Sequence, residues 1–173
     1  FFNHGLNNWL PEIIRSKGVS FSEAGYWAAI PTTISIISAL LIPRFATTER
    51  RVLVMGLLIL AAGLATTLLH TSPGFQLAFG LCLQGLARGA MMTVALLMLV
   101  EIPNVGPKRA GTAGGLFFTA AEIGGVTGPL VIGFLHDLTG DFSYPLNVLT
   151  VITFLLLGLL LALQKTLKRD LIN

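Results

Sequence analysis

The sequence predicts an all-α membrane protein of six transmembrane helices, the first of them truncated, and composition, segment length and loop charge carry that prediction. Of the 173 residues, 54% are hydrophobic and only 11% are charged, where a soluble domain carries about 25% charged residues. The mean hydropathy is +0.81. These values exclude a water-soluble globule and a disordered chain. The net charge of +3 comes from 11 Lys and Arg spread thinly along the chain, with no basic run interleaved with aromatics. No nucleic-acid partner is therefore expected.

Spanning a hydrocarbon core of roughly 30 Å takes about 20 apolar residues at 1.5 Å each. The opening run, Phe1 to about Ile14, falls short of that and is expected to be a cut helix. Segment two runs from Ala24 to Pro43, announced by Ser20-Phe21-Ser22-Glu23 at capping-box spacing. Segment three is Val52 to Leu69. Segment four is Pro73 to Val100, with Ser72 as the candidate cap and Pro73 in its first turn. Pro103, Gly106 and Pro107 break the chain before segment five, Ala110 to Leu135. Gly140, Ser143 and Pro145 break it again before segment six, Tyr144 to Leu163. A start at Phe1-Phe2, with no basic n-region, argues against a signal peptide and for a piece of a longer protein.

The connections on one side, near 11–23, 70–74 and 136–144, hold two basic residues, Arg15 and Lys17. Those on the other, 44–51, 101–109 and the tail after Gln164, hold eight. By the positive-inside rule the second side, with the C-terminus, faces the cytoplasm.

Small residues concentrate in segments four and five, as the pairs Gly85/Gly89, Gly111/Gly115 and Gly124/Gly128. Lipid supplies little hydrophobic drive between helices, so close backbone approach at such pairs does that work. Two ionisable residues lie inside apolar spans. Arg88 is 14 residues from the outer end of segment four at Gly74, and Glu122 is 14 residues from that of segment five at His136. Equal depth on sequence-adjacent helices lets the two charges meet. They are either an ion pair that fixes packing or, because intramembrane charge is costly, groups that handle a solute or a proton. Segment one adds Asn3, His4, Asn7 and Asn8 as i,i+4 pairs, which either bond other helices or line a solute path. Trp9, Trp27 and His70 read as interfacial residues, and Asp137 and Asp141 as solvated ones. Cys82, the one cysteine, has no His or Cys at metal spacing and reads as packing.

The stretches Asn3 to Glu12 and Gly111 to Gly140, with six helices and basic cytoplasmic loops, resemble the C-terminal half of a major facilitator superfamily transporter. In particular they resemble its cyanate and nitroimidazole branch. The loop Pro43 to Arg51 keeps the basic residues of the family's G-x-x-x-D-R-x-G-R-R hallmark but lacks its Asp and Gly. The resemblance implies that residues 1–173 are the C-terminal six helices of a twelve-helix fold whose N-terminal half is missing. It implies a secondary active transporter in the bacterial plasma membrane, moving a small polar or anionic solute by alternating access. Asn7, Asn8 and Arg88 would then bind the solute, and Glu122 would couple protons or pair with Arg88. No cofactor or metal is implied.

An enzyme is not expected: no serine has the context of an intramembrane protease nucleophile, and no H-E-x-x-H occurs. A channel lacks a carbonyl-filter signature. It and a non-transporting polytopic subunit remain the alternatives to a carrier. The charge asymmetry predicts that cysteines introduced near Thr48 and Lys108 face the cytoplasm, and those near Ser20 and Asp141 the outside. Impermeant thiol reagents on intact cells, in a background lacking Cys82, should label only the second pair. Labelling at Thr48 but not Asp141 would invert the topology.

Overall fold

In a computed structural model, which describes residues 2–102 and 105–170, the chain forms six helices and, among the described residues, no strand. These are α1 (Phe2–Arg15), α2 (Phe21–Phe45), α3 (Arg51–Leu68), α4 (Phe75–Val100), α5 (Gly106–Thr139) and α6 (Ser143–Asp170). Helices α2 to α6 are long and apolar enough to cross a bilayer. Helix α1 has 14 residues, about 21 Å at 1.5 Å per residue, and is too short to do so.

The helix ends follow local chemistry. At α2 the expected capping box forms: the Glu23 amide donates to Ser20 Oγ at 3.3 Å, and the Ser20 amide donates to the Glu23 carboxylate at 2.9 Å. Gly140 ends α5 with φ 76°, its amide donating to the His136 carbonyl at 2.8 Å, a left-handed cap that glycine adopts without strain. Helix α4 departs from expectation. It begins at Phe75 after Gly74, with no side-chain cap, so Ser72 and Pro73 lie in the preceding turn. Pro107 occupies the first turn of α5, where a missing N–H costs nothing. Pro103 lies outside the described residues.

Helix α4 is the central post, packed against α2 on one side and α3 on the other; α1 lies on α5 and α2, and α6 on α3. Small residues set each spacing. A Cβ on Gly89 would lie 2.1 Å from the Ser35 carbonyl oxygen, and one on Gly85 2.7 Å from that of Pro31. Ser38, 1% exposed, donates across the same seam to the Leu86 carbonyl at 2.6 Å. Gly63 faces Thr153, and Thr66 and Thr150 share a hydrogen bond at 2.8 Å between α3 and α6. Gly5 sits on the backbone of Gly128, and Gly133 on the Trp9 ring. Trp9 is thus a packing residue, its Nε1 donating to the Pro129 carbonyl at 2.9 Å. Gly111 and Gly115, read as a packing pair, meet nothing within 4 Å among the described residues.

The connections sort into two ends, as the charge pattern requires. Ser16, Lys17, His70, His136 and Asp141 line one cavity at the first end. At the other, Arg51 pairs with Glu101 and donates to the Ala46 and Leu97 carbonyls at 2.9 and 3.0 Å. Thr48 donates to the second Glu101 oxygen at 2.9 Å. This clasp ties the loop before α3 to the end of α4.

Gly89→Ala should force α2 and α4 apart, because its Cβ meets backbone rather than a mobile side chain. Overpacking of this kind costs about 1–3 kcal/mol. Gly158→Ala, with nothing within 4 Å of its Cβ position, should stabilise a little by the gain in helix propensity. Thermal unfolding of the purified protein in detergent should show a lowered midpoint for the first substitution only.

Candidate functional site

The polar centre is built on α4. Arg88 and Gly89 are sequence neighbours, so the glycine that draws α2 close places the guanidinium beside α2 and α1. Arg88 Nη1 donates to Asn7 Oδ1 at 2.6 Å and more weakly to Thr32 Oγ1 at 3.4 Å. Both acceptors are neutral. Arg15 pairs with Glu12 and Arg51 with Glu101, and His136 Nδ1 lies 3.6 Å from the Asp137 carboxylate. Among the described residues Arg88 has no counter-ion, and its Nε and Nη2 donors find no partner. That free edge is the fork that grips a carboxylate in bidentate fashion.

The expected meeting of Arg88 with Glu122 does not occur. Residue count fixed their depth, but rotation about each helix axis turns them apart. Arg88 points to α1 and α2. Glu122 is exposed, with one carboxylate oxygen 3.7 Å and the His4 ring 3.5 Å from the position a Cβ would take on Gly125. Glu122 therefore shares its surface with His4, not with Arg88. Asn7 joins the centre as expected; Asn8 is exposed and outside this network.

Sequence reasoning did not single out Thr32. It sits in an exposed run of α2 and becomes an Arg88 partner only through the Gly85–Gly89 approach. Gln84, one helical turn before Arg88 on the same face of α4, is 1% exposed, and neither its Oε1 nor its Nε2 has a partner among the described residues. The buried Asn3 Oδ1 is likewise unpaired. Each orphaned polar atom costs about 1–3 kcal/mol. All three flank the Arg88–Asn7 bond by one helical turn.

The cavity at the first end has a volume of about 310 Å³ and is lined by Ser16, Lys17, His70, His136, Asp141 and Ser143 among others. Asp141 Oδ1 accepts from the Ser143 amide at 2.6 Å, starting α6. His136 stacks on Phe142 with centroids 4.1 Å apart. Burial holds Lys17 below its ordinary value. Burial and the Lys17 charge hold His70 down, against the opposing pull of Asp141 and a hydrogen bond with Asn147. No group of three or more His, Cys, Asp or Glu among the described residues is placed to hold a metal.

Five helices long and apolar enough to cross a membrane, one of them carrying the half-buried Arg88 within its span, define an integral membrane protein. Residues 1–171 match the Major Facilitator Superfamily, and the chain belongs to that family. Its six helices fit half of the family's fold. It is 26% identical over 160 residues to the uncharacterized transporter YycB of Bacillus subtilis, covering 87% of this chain and 37% of that protein. It is 31% identical over 176 residues to a quinolone resistance transporter of Acinetobacter baumannii, covering 91% and 36%. A putative tartrate transporter of Agrobacterium vitis is 29% identical over 143 residues, covering 80% and 31%. The chain spans about a third of the length of these relatives. No solved structure matches it.

The His70 environment predicts an acid-sensitive fold. A depressed histidine takes up its proton in the unfolded chain before it does so in the folded one. Its contribution is therefore neutral at high pH, and stability falls as pH drops below the ordinary value of about 6.5. His70→Gln should flatten the decline in unfolding midpoint between roughly pH 7.5 and 5. An unchanged slope in the variant would remove His70 as its source.

Proposed function

We propose that this chain is the C-terminal half of a twelve-helix secondary transporter that carries a small anionic solute by alternating access. The observation that carries the reading is Arg88: a half-buried guanidinium within a membrane span with two neutral partners and, among the described residues, no counter-ion and an unused donor fork. An uncompensated charge at membrane depth is expensive, and an anion bound there offsets it. Asn7 and Thr32 orient the guanidinium, and the missing N-terminal half supplies the opposite wall. The name of the tartrate-type relative supports a carboxylate. The likeness of Asn3 to Glu12 and Gly111 to Gly140 to the cyanate and nitroimidazole branch points to the same small size. The eight-to-two charge split favours a C-terminus in the cytoplasm, and the bacterial sources of the relatives favour a bacterial plasma membrane.

Glu122, exposed beside His4 and unpaired with Arg88, is proposed as the proton-coupling group. In proteoliposomes the full-length carrier should show saturable uptake and counterflow. Arg88→Gln should lower uptake about 10–100-fold, the worth of charge-assisted hydrogen bonds of about 1.5–3 kcal/mol. Glu122→Gln should abolish pH-driven uptake and leave solute exchange intact, since exchange moves no net proton. Normal uptake by Arg88→Gln would refute the anion site, and unsaturable conductance would make the protein a channel.

A further inference from the structure

Gln84 stands four residues before Arg88, one turn toward the start of α4 and on the same face, with a rise of about 6 Å between their Cα atoms. Its neighbours Leu81 and Ala87 are fully buried, and Gln84 itself is 1% exposed with both amide atoms unpartnered. Nothing in packing calls for an amide here; a leucine or methionine would fill the space without orphaned atoms. Asn3, on α1, is unpaired one turn to the other side of the Arg88–Asn7 bond. The cavity joining the end of α1 to the loop before α4 shows the two helices to be antiparallel. Amide and guanidinium positions therefore follow one another along a single seam.

We infer that Gln84 is a specificity residue, and that the solute is a carboxylate bearing a hydroxyl group: Arg88 holds the anionic end, and Gln84 reads the hydroxyl. This rests on the anion reading above and adds to it the second functional group. A hydroxyl both donates and accepts, which matches the two empty functions of the Gln84 amide. A plain carboxylate offers only acceptors and leaves Gln84 Oε1 bare. A site built to hydrogen-bond a hydroxyl discriminates against the analogue that lacks it, because its own polar atoms are then left unpaired.

The test uses the purified full-length carrier and matched acids that differ only in hydroxyls: tartrate and succinate, galactarate and adipate, lactate and propionate. Apparent affinities are read from ligand-induced thermal stabilisation. In the wild type, at least one hydroxylated acid should bind about 10-fold tighter than its counterpart, the worth of one net hydrogen bond. Gln84→Leu and Gln84→Met, two variants so that a folding failure in one leaves the other, should bring that ratio to about 1. They should leave the affinity for the unhydroxylated acid unchanged and raise the ligand-free unfolding midpoint. Arg88→Gln should abolish binding of both acids. If the wild-type ratio is already 1, or survives in both Gln84 variants while binding still needs Arg88, Gln84 reads no hydroxyl and the anion site stands. If no acid stabilises the wild type, or binding ignores Arg88, the anion reading falls and this inference with it.

Discussion

The contact of Gly89 with the backbone of Ser35 sets the spacing on which the polar centre depends. In hydrocarbon, apolar side chains gain little by leaving lipid for protein, so helices associate through dispersion contacts and hydrogen bonds made at close range. Gly85 and Gly89 remove side chains from the α4 face that meets α2, and the backbones approach until Ser38 bonds the Leu86 carbonyl. Only at that separation does the guanidinium next to Gly89 lie within reach of Thr32. A methyl group at Gly89 therefore disturbs the centre and the seam together.

The two arginines of the bundle show what pairing does. Arg51 is neutralised by Glu101, and its Nε and Nη1 donate to the Ala46 and Leu97 carbonyls. Such a group is held in one geometry with its charge cancelled. Arg88 has polar neighbours that orient it and, among the described residues, none that cancels its charge. The first pattern serves a joint between a loop and a helix end. The second is the one on which the proposed anion site rests.

Much of this was legible in the sequence because its physics is local. Segment lengths, the Ser20–Glu23 box and the chain break at Gly140 depend on residues within a few positions of one another, and all appear in the fold. Loop charges gave the grouping of ends for the same reason. Depth in the membrane is also a count along the chain, which is why Arg88 and Glu122 were placed at one level. Their azimuth is set by tertiary packing: α4 spends its contacts on α2 and α3, and α5 spends its contacts on α1. No pattern within a single helix encodes that choice, so equal counts along two helices did not make a pair. The G-x-x-x-G pairs show the same limit, since Gly85/Gly89 and Gly111/Gly115 look alike in sequence and only one meets a neighbour.

The surface of α5 carries the last step. Leu116, Ile123, Val126, Leu130 and Phe134 are each more than 60% exposed, yet Glu122 lies among them in sequence and is exposed as well. Lipid would accept the first group and reject the second. A helix that presents both wraps one flank in hydrocarbon and turns another toward a polar space. The α1 side of α5, where His4 and Glu122 approach Gly125, is that second flank. His4 and Asn7 lie three residues apart on α1, so that helix stands between the Glu122 side of α5 and the Arg88 side of α4. On the proposed function, charges held apart in this way would leave Arg88 to an anion and Glu122 to a proton.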